Sequence, residues 1–337
     1  MESILITGGA GYIGSHIVEN LVKTNNKIII LDNLITGYKK LINKKAIFIK
    51  GDIKNYKKLS NIVKKYKINS IIHLAAYLNI SEAEKNKKKY YLNNVVGTLN
   101  IIKCCKNESV KNIVFSSSCS IYGDVKGSVN EKKRANPKGY YAFTKLKGEQ
   151  IIKKYSKKFN YNYAILRYFN IAGASLTKKI GEINSSHGHL FKNIAIQSLK
   201  KNPKINIYGN NYNTEDGTCI RDYMHVTDLS VTHIKALEYI NNNSKSITLN
   251  CGYGKGYSVL DIVKIFKKIK KNLTINITTK RKGDVEAVYA DTRKFKKILK
   301  IKMKYNNINA ILKSSIKWEC TLTVSYTHLR AHETRHD

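Results

Sequence analysis

The sequence is poor in proline, in clustered cysteines and in long apolar runs. Only two of its 337 residues are proline, and we find no proline-rich linker between domains. No apolar run reaches the roughly 18–20 residues that span a bilayer, so we predict no membrane partner. The N-terminal MESILITGG has no basic segment before its apolar run, which predicts a first strand and not a signal peptide. The six cysteines have no CxxC or zinc-ligand spacing, so we expect no metal site and a cytoplasmic location.

Acidic side chains are also scarce. Lys and Arg number 61 against 23 Asp and Glu, which gives a formal net charge of +38. Such a charge is typical of proteins that bind nucleic acids, and this function stays open as an alternative. The lysines are, however, scattered through every segment among Asn, Ile and Tyr, whose codons are all A/T-rich. This mixture indicates codon bias more than a nucleic-acid-binding surface, and a diffuse positive field would also attract an anionic nucleotide.

Arginine is rare in this lysine-rich chain. Five arginines precede residue 320: Arg134, Arg167, Arg221, Arg281 and Arg293. A guanidinium is expected where its planar fork can bind an anion through two hydrogen bonds. We interpret Arg221 and Arg281 as such positions, and Arg134 and Arg293 as ordinary surface charges.

The composition changes after Cys320. The segment TLTVSYTHLRAHETRHD (321–337) contains no lysine, yet it holds two of the seven arginines and three of the nine histidines. Its histidines at 328, 332 and 336 are spaced by four residues, so metal binding is one interpretation. The favoured interpretation is a foreign or read-through tail, non-native or disordered, and we exclude 321–337 from the predicted domains.

Short apolar runs alternate with amphipathic stretches in the first half of the chain. Continuous runs predict strands buried on both faces at 3–7, 27–31, 46–50, 70–74, 112–116 and 162–167. Amphipathic stretches predict helices at 12–23, 55–66, 90–106 and 140–158. This alternation predicts an α/β fold with a doubly wound parallel sheet of the Rossmann type.

The order of elements loosens beyond residue 170. Strands are predicted near 205–208, 247–250 and 273–278, and helices near 227–241 and 258–269. We therefore predict a first domain at 1–170 and a smaller C-terminal α/β lobe at 171–320, with segments near 221–250 returning to the first domain.

The glycine-rich stretch ITGGAGYIGSH follows the first predicted strand. Gly8, Gly11 and Gly14 are spaced by three, and a helix is predicted to start beside them. Such a turn lets backbone N–H groups approach a pyrophosphate at the positive end of a helix. Asp32 ends the second strand, and its carboxylate would bind ribose hydroxyls and repel a 2′-phosphate. This pattern predicts NAD in preference to NADP, and an unrelated turn and aspartate is the less favoured alternative.

A serine cluster on the fifth strand precedes a Tyr-x-x-x-Lys motif. VFSSSCSIYG contains Ser118, and YAFTK contains Tyr141 and Lys145. On a helix, residues four apart share a face, so Tyr141 aligns with Lys145 and Tyr140 does not. These motifs, with TGGAGYIG, resemble the extended short-chain dehydrogenase/reductase family. The resemblance implies that Tyr141 is the acid/base and that Tyr140 only packs.

Two further roles follow from the same resemblance. Lys145 is implied to lower the pKa of Tyr141 and to hold the nicotinamide ribose, and Ser118 is implied to hydrogen-bond the reacting oxygen. A cation about 5 Å away at an effective dielectric of about 20 would contribute roughly 3 kcal/mol, or about two pKa units. With the positive charge of the oxidised nicotinamide added, the phenol is expected to titrate near neutrality.

Within this family the chain is most similar to the UDP-galactose 4-epimerases, over residues 2–319. The matching stretches include LRYFNIAGA (166–174), NYNTEDGTCIRDYMHVTDL (211–229) and KGDVEAVYAD (282–291). The resemblance implies a UDP-hexose 4-epimerase that interconverts UDP-glucose and UDP-galactose. Tightly bound NAD would take a hydride from C4 of the sugar and return it to the other face of a 4-keto sugar. Such families usually form homodimers through two helices, here 90–106 and 140–158.

The resemblance assigns residues to an NAD-binding domain (1–170) and to a nucleotide-sugar-binding lobe (171–320). The implied NAD contacts are Gly8, Gly11, Tyr12, Ile13, Gly14, Asp32, Asn33, Asp52, Ile53, Leu74, Ala75, Ala76, Asn93, Ser116, Tyr141, Lys145 and Tyr168. The implied UDP-sugar contacts are Ser118, Tyr141, Asn170, His189, Leu190, Arg221, Arg281, Asp284 and Val288. Asn170, Arg221 and Arg281 are implied to hold the diphosphate, and Asp284 to lie near the uridine ribose. The alternative for Arg221 is an ion pair with a carboxylate, such as that of Asp222 or Asp228.

Other activities on the same scaffold are less favoured. Sugar-nucleotide dehydratases and decarboxylases resemble this chain but carry an acidic residue just after the serine. Here Cys119 and Ser120 occupy those places, so no carboxylate is available to remove water. A cofactor-sensing regulator without catalysis would not need the Ser–Tyr–Lys set.

The sequence departs from the family pattern at several positions. Leu78 lies where some epimerases have a lysine, and Glu286 replaces a residue that is often proline. His189 and Leu190 lie in an irregular segment, which makes the contacts to uracil the weakest part of the assignment. Val288 lies where a bulky tyrosine restricts some members, so we predict activity on UDP-N-acetylhexosamines as well. His73 is interpreted as a packing residue at a strand end.

Overall fold

The computed structural model of the chain describes residues 2–106, 110–177, 179–183, 189–281 and 283–333, with side chains described up to residue 324. Within these ranges the strands, in chain order, are β1 Ser3–Thr7, β2 Lys27–Asp32, β3 Ile47–Lys50, β4 Ser70–His73, β5 Asn112–Ser118, β6 Gly127–Val129, β7 Asn162–Tyr168, β8 Asn170–Ala172, β9 Lys204–Tyr208, β10 Ile220–His225, β11 Ile247–Cys251, β12 Gly256–Ser258, β13 Thr274–Thr278 and β14 Ala287–Ala290.

The helices alternate with these strands. They are α1 Tyr12–Leu21, α2 Tyr56–Lys65, α3 Ile80–Lys85, α4 Lys87–Tyr90, α5 Gly97–Cys104, α6 Tyr140–Phe159, α7 Leu190–Ser198, α8 Val226–Asn243, α9 Val259–Ile269, α10 Arg293–Leu299 and α11 Ile308–Glu333. A π-helical segment (Tyr91–Val96) joins α4 to α5, and a 3-10 turn (Cys119–Tyr122) follows β5. Over the part of the chain that the structure describes, no helix is long and apolar enough to cross a membrane.

The main sheet contains seven parallel strands in the order β11-β7-β5-β4-β1-β2-β3. The six strands predicted in the first half are all in it, and the predicted doubly wound α/β fold is confirmed. β11 adds a seventh strand from the second half, because Ile247–Cys251 pairs in parallel with β7. The chain thus returns to the first sheet near residue 250.

Helices cover both faces of this sheet, which explains the continuous apolar strands. Ile4, Leu5 and Ile6 of β1 are all at most 1% exposed. Ile4 and Ile6 pack in the cluster that includes residues of α1 and α8. Leu5 packs in the opposite cluster, with residues of α2, α5 and α6. Burial on both faces holds the carboxyl ends of the strands in fixed relative positions.

Most strands of a second sheet come after the predicted boundary at residue 170. Its order is β12-β10-β14-β6, with β8 also paired to β10, and β9 and β13 form a separate two-stranded sheet. β6 comes from the first half of the chain, just as β11 returns from the second. Each sheet therefore takes one strand from the other half of the chain. The division into two domains at residue 170 stays a prediction.

The segment after Cys320 continues a helix. α11 runs from Ile308 to Glu333, and residues 334–337 lie outside the described residues. Trp318 is 5% exposed, and its indole Nε1 donates to the carbonyl oxygen of Glu182 at 2.8 Å, so the helix is anchored just before the composition changes. The foreign origin of 321–337 stays a prediction. The side chains of the predicted histidine series lie outside the described residues, and no cluster of metal-ligating side chains is present among those described.

Four histidines are buried in the neutral form. Burial lowers the pKa of His73 and His225 to about 3, and that of His16 and His233 to about 4. Between these values and 6.5 the unfolded chain binds protons that the folded chain does not, so stability present above pH 6.5 is lost as the pH falls.

We expect the free energy of unfolding to fall between pH 6.5 and pH 5, by roughly 1.4 kcal/mol per pH unit for each histidine. Urea unfolding monitored by circular dichroism at several pH values measures this slope. His16→Asn removes one titrating group outside the Ser–Tyr–Lys set, and its slope is expected to be shallower by one histidine's share. Equal slopes in the two proteins would contradict the assignment.

Candidate active site

The turn between β1 and α1 forms the first part of the site. Gly8 has a φ of +75°, and a Cβ atom there would lie 2.8 Å from the backbone N of Ala75. A Cβ atom at Gly14 would lie 2.2 Å from the carbonyl oxygen of Gly8. Side chains at either position would clash with backbone, so glycine lets the turn lie against the chain after β4. The N-terminus of α1 then presents N–H groups and a positive dipole to this edge, which fits a pyrophosphate.

The start of α1 carries three more of the predicted NAD contacts. Gly11 is its N-cap residue, and Tyr12 and Ile13 form its first turn. The hydroxyl of Tyr12 donates to the carbonyl oxygen of Gly173 at 2.6 Å. This bond ties the cofactor end of α1 to the chain just after β8.

Asp32 lies beside the same turn. Its carboxylate accepts hydrogen bonds from the backbone N–H groups of Ala10 at 3.0 Å and Leu34 at 2.8 Å. Burial raises the pKa of Asp32, and these two hydrogen bonds act in the opposite direction. Each carboxylate oxygen keeps acceptor capacity, so Asp32 can also bind ribose hydroxyls. The cradle left by the glycines and this carboxylate together fit NAD.

The remaining predicted NAD contacts lie at the same edge of the sheet or beside it. Asn33, Asp52, Ile53, Leu74, Ala75, Ala76, Ser116 and Tyr168 are in or after the last residues of parallel strands, and Asn93 is in the π-helical segment. Several of these side chains also have contacts within the protein. Ile53 is 3% exposed and packs in the core, and the amide of Asn93 donates to Asn94 Oδ1 at 2.9 Å.

The predicted catalytic residues are brought together by α6 and the end of β5. Ser118 lies beside Tyr141 and lowers the pKa of its hydroxyl. Lys145 lies one turn further along α6, with its Nζ 6.0 Å from the centroid of the Tyr141 ring. The same Nζ donates to the carbonyl oxygen of Ser116 at 2.7 Å. The three side chains therefore meet at the carboxyl edge of the sheet, near the glycine-rich turn.

The acidity of these groups is set mainly by burial. Burial raises the pKa of Tyr141 above its ordinary value, and the neighbouring Ser118 side chain only partly offsets this. Burial lowers the pKa of Lys145 to about 7. The expectation that the phenol titrates near neutrality includes the charge of the oxidised nicotinamide, so it stays a prediction. The low-dielectric surroundings disfavour the phenolate and the ammonium alike.

Tyr140 contacts residues of α3, α4 and α6. Its backbone N–H donates to Glu84 Oε1 at 2.6 Å, and its ring centroid lies 5.4 Å from that of Phe143. Lys87 Nζ lies 5.7 Å from the same ring. These contacts join the start of α6 to α3 and α4, so Tyr140 has a packing role.

Two predicted substrate contacts form an ion pair. Arg221 Nη2 lies 3.6 Å from Asp284 Oδ1, and Arg221 Nη1 donates to the carbonyl oxygen of Ile220 at 2.9 Å. Asp222 instead accepts from backbone N–H groups, among them that of Tyr253 at 2.9 Å. Asp228 accepts from the hydroxyl of Tyr253 at 2.6 Å. Arg221 is therefore paired with a carboxylate, as in the alternative interpretation, but the partner is Asp284 and not Asp222 or Asp228.

Arg281 and Val288 lie on either side of Asp284 in the sequence. The guanidinium carbon of Arg281 lies 3.7 Å above the ring centroid of Tyr208, at the end of β9. Val288 is the register partner of Arg221 across β10 and β14, and it is 7% exposed. Its side chain packs in an apolar cluster that includes Phe169. Its contact with a sugar therefore stays a prediction.

The other predicted substrate contacts lie on two elements. Asn170 begins β8 and is the register partner of Tyr223 in β10. His189 is the N-cap residue of α7, and Leu190 is the first residue of that helix. His189 Nδ1 lies 2.6 Å from Glu182 Oε1. Burial disfavours the imidazolium, but Glu182 outweighs it and raises the pKa of His189.

His73 has the packing role predicted for it. It is 2% exposed, with Nδ1 lying 2.7 Å from Thr7 Oγ1 and Nε2 lying 3.0 Å from Thr98 Oγ1. Both ring nitrogens are therefore used within the protein.

The sequence reasoning missed two residues of this region. Tyr208 supplies the ring under Arg281, and its signal was only an aromatic residue at a strand end before Gly209. Glu149 lies one turn beyond Lys145 on α6, and its carboxylate accepts from Ser117 Oγ at 2.6 Å. The four-residue spacing from Lys145 could have identified it.

The site combines a dinucleotide-binding turn at the carboxyl edge of a parallel sheet with a neighbouring Ser–Tyr–Lys set. These two features define the class of NAD-dependent enzymes of the short-chain dehydrogenase/reductase type. The chain belongs to the NAD dependent epimerase/dehydratase family, whose sequence model matches residues 4–252. Membership confirms the predicted family and NAD as the cofactor.

Individual relatives are similar over nearly their full length. The UDP-glucose 4-epimerase of Lactobacillus helveticus is 38% identical over 317 residues, which cover 94% of this chain and 96% of that one. A crystal structure of UDP-glucose-4-epimerase from Stenotrophomonas maltophila, with bound NAD and formylated UDP-arabinopyranose, is 28% identical with a TM-score of 0.92 and covers 96% of this chain and 100% of that one. The structure of the UDP-Glc/GlcNAc 4-epimerase from Campylobacter jejuni is 34% identical with a TM-score of 0.83, and it covers 95% of this chain and 100% of that one.

Proposed function

We propose that the chain is a UDP-hexose 4-epimerase that interconverts UDP-glucose and UDP-galactose. The observation that carries this proposal is Tyr141, which lies beside Ser118 and on the same helix face as Lys145, whose Nζ is 6.0 Å from the centroid of the Tyr141 ring. This set lies beside a turn that fits NAD. The relatives described above support the choice of a UDP-sugar as substrate.

The reaction follows from the positions of these groups. NAD, when bound, accepts a hydride from C4 of the sugar and returns it. Tyr141, as the phenolate, takes the proton of the 4-hydroxyl, and Ser118 donates a hydrogen bond to the same oxygen. The sugar then exists as a 4-ketone, turns over, and receives the hydride on its other face while Tyr141 returns the proton. The hydride and the proton are both restored, so no oxidant is consumed.

The protein must hold the nucleotide firmly while the sugar turns. Arg221 and Arg281 offer guanidinium groups to the diphosphate, and Asn170 an amide. Asp284, which lies 3.6 Å from Arg221, would accept from the ribose hydroxyls. None of these contacts needs the hexose, so the sugar ring stays free to rotate.

The direct test is to incubate the purified protein with UDP-glucose and measure UDP-galactose without added NAD. We expect NAD to copurify and turnover to proceed without further cofactor. A steady requirement for fresh NAD would indicate a dehydrogenase. Salt-sensitive DNA binding without any turnover would favour the alternative of a nucleic-acid-binding protein.

We expect the protein to epimerise UDP-N-acetylglucosamine as well as UDP-glucose. Valine at position 288 is smaller than tyrosine and leaves room for a 2-acetamido group. A side-by-side assay of the two substrates with the same preparation measures the ratio of kcat/KM. Turnover of UDP-glucose with none of UDP-N-acetylglucosamine would refute this expectation.

We also propose a homodimer that forms through the π-helical segment with α5 and through α6. Tyr91 and Leu92 are 42% and 41% exposed, and the π-helical segment contacts α6, so apolar surface lies beside that helix. Light scattering after gel filtration is expected to give twice the chain mass of 38.4 kDa. Leu92→Glu would place a charge in the interface and is expected to give the mass of one chain. An unchanged mass for this variant would place the interface elsewhere.

We place the enzyme in the cytoplasm. All six cysteines are free thiols in the structure, which agrees with a reducing compartment.

A further inference from the structure

Three consecutive serines of β5 each lie beside one residue of α6. Ser118 lies beside Tyr141 and lowers the pKa of its hydroxyl. The Ser116 carbonyl oxygen accepts from Lys145 Nζ at 2.7 Å. The remaining serine, Ser117, donates from its hydroxyl to Glu149 Oε1 at 2.6 Å.

The three α6 residues are spaced by four and share one face of the helix. Gly148 allows the helix to approach closely, because a Cβ there would lie 2.7 Å from the Phe115 ring of β5. The contact between α6 and β5 is therefore specified by paired polar groups over two helical turns.

Glu149 is held in turn by a buried arginine. Arg167 on β7 donates from Nε to Glu149 Oε1 at 2.9 Å and from Nη2 to Oε2 at 2.7 Å. Glu149 is 1% exposed and Arg167 5% exposed. Burial alone would raise the pKa of Glu149, but the hydrogen bonds and charge of Arg167 outweigh burial and hold this pKa below its usual value.

Arg167 also connects to the turn after β5 and, through it, to β11. Arg167 Nη1 donates to the hydroxyl of Tyr122 at 2.8 Å, and that hydroxyl donates to Asn250 Oδ1 at 2.7 Å. Tyr122 ends the 3-10 turn that begins just after Ser118, and Asn250 is in β11. The network thus joins α6, which carries Tyr141, to β5, which carries Ser118, and to the turn that follows β5.

We propose that Glu149 is a positioning residue for epimerisation, and that it holds Tyr141 and Lys145 at the correct distance from the serines through Ser117 and Arg167. This inference rests on the proposed function. A buried ion pair by itself is weak evidence of stabilisation, whereas a displacement of about 1 Å at reacting groups can cost roughly 100-fold in rate.

The decisive variant is Ser117→Ala, which removes one contact of Glu149 and leaves the Glu149–Arg167 pair in place. We expect kcat for UDP-glucose to fall roughly 10- to 100-fold, with KM and the melting temperature little changed. Two controls on the same helix are expected to retain wild-type kcat. Ser156→Ala removes an exposed hydrogen bond to the Lys153 carbonyl oxygen, and Lys153→Ala removes the outer ion pair of Glu149.

Glu149→Gln serves as the second variant. It leaves the buried Arg167 guanidinium without its charge partner, so we expect lower stability as well as lower kcat. If Ser117→Ala fails to fold, kcat of Glu149→Gln is normalised to the NAD retained by the folded fraction. Wild-type kcat per folded molecule in either variant would overturn the inference and leave Glu149 a purely structural residue.

Failure of the proposed function would be recognised separately. If the wild-type protein retains NAD but turns over no UDP-sugar, the proposed function is refuted, whereas the positioning role of Glu149 is not. Amide hydrogen exchange then decides the inference, since Ser117→Ala is expected to speed exchange at residues 141–145 and Ser156→Ala is not. Equal exchange in both variants would overturn it.

Discussion

Replacing Tyr141 with phenylalanine is expected to lower kcat for UDP-glucose by roughly 100- to 10,000-fold. The change removes the hydroxyl that takes and returns the proton of the sugar's 4-hydroxyl. It leaves the ring, which packs beside Tyr77 and Tyr90. We therefore expect the variant to fold and to retain NAD. The measurement is kcat from coupled detection of UDP-galactose, with NAD content determined after denaturation.

Tyr140→Phe is the matched control for that experiment. Its side chain contacts Phe143 and Lys87, away from Ser118, so kcat should stay within about twofold of wild type. Equal losses in both variants would show that the assignment of the acid/base to position 141 is wrong.

Replacing Arg221 with glutamine is expected to raise KM for UDP-glucose by roughly 10- to 100-fold, since a hydrogen bond to a charged group contributes about 1.5–3 kcal/mol. The guanidinium lies 3.6 Å from Asp284, so the change also leaves that carboxylate without its partner beside an anionic substrate. Because the diphosphate does not react, kcat should change much less than KM. Initial rates over a range of UDP-glucose concentrations separate the two parameters.

Arg293→Gln is the control for the loss of an arginine as such. Its side chain is 87% exposed and pairs with Asp291, so KM should be unchanged. Arg221→Lys should recover only part of the affinity, because an ammonium cannot bind two oxygens with one planar fork. A wild-type KM in Arg221→Gln would remove Arg221 from the substrate site.

The sequence predicted all seven strands of the main sheet and the more exposed β9 and β13 of the two-stranded sheet. β1, β2, β4 and β5 are continuous apolar runs, and such runs have little alternative to a central position in a parallel sheet. β10 was missed because its residues, IRDYMH, include charged and polar side chains that the site requires. β6, β8 and β12 have three residues each, and so short a segment carries no readable period.

The candidate site was predictable where local spacing carries the chemistry. The glycines of the first turn and the Tyr141–Lys145 pair are short motifs whose geometry follows from one turn or one helix. The pairing of Arg221 with Asp284 was not predictable, because it depends on how β10 and the chain before β14 meet. The raised pKa of Tyr141 was missed for a similar reason, since burial comes from the whole fold.

The pairing of β11 with β7 has a consequence for biosynthesis. A nascent chain that has emerged from the ribosome only as far as residue 170 has six strands of the main sheet, but the backbone edge of β7 is still open. Asn250 of β11 also accepts a hydrogen bond from Tyr122, which is in the turn just after Ser118. The catalytic half of the molecule can therefore be completed only when translation has passed residue 251, and the growing polypeptide needs protection from edge-to-edge association until then.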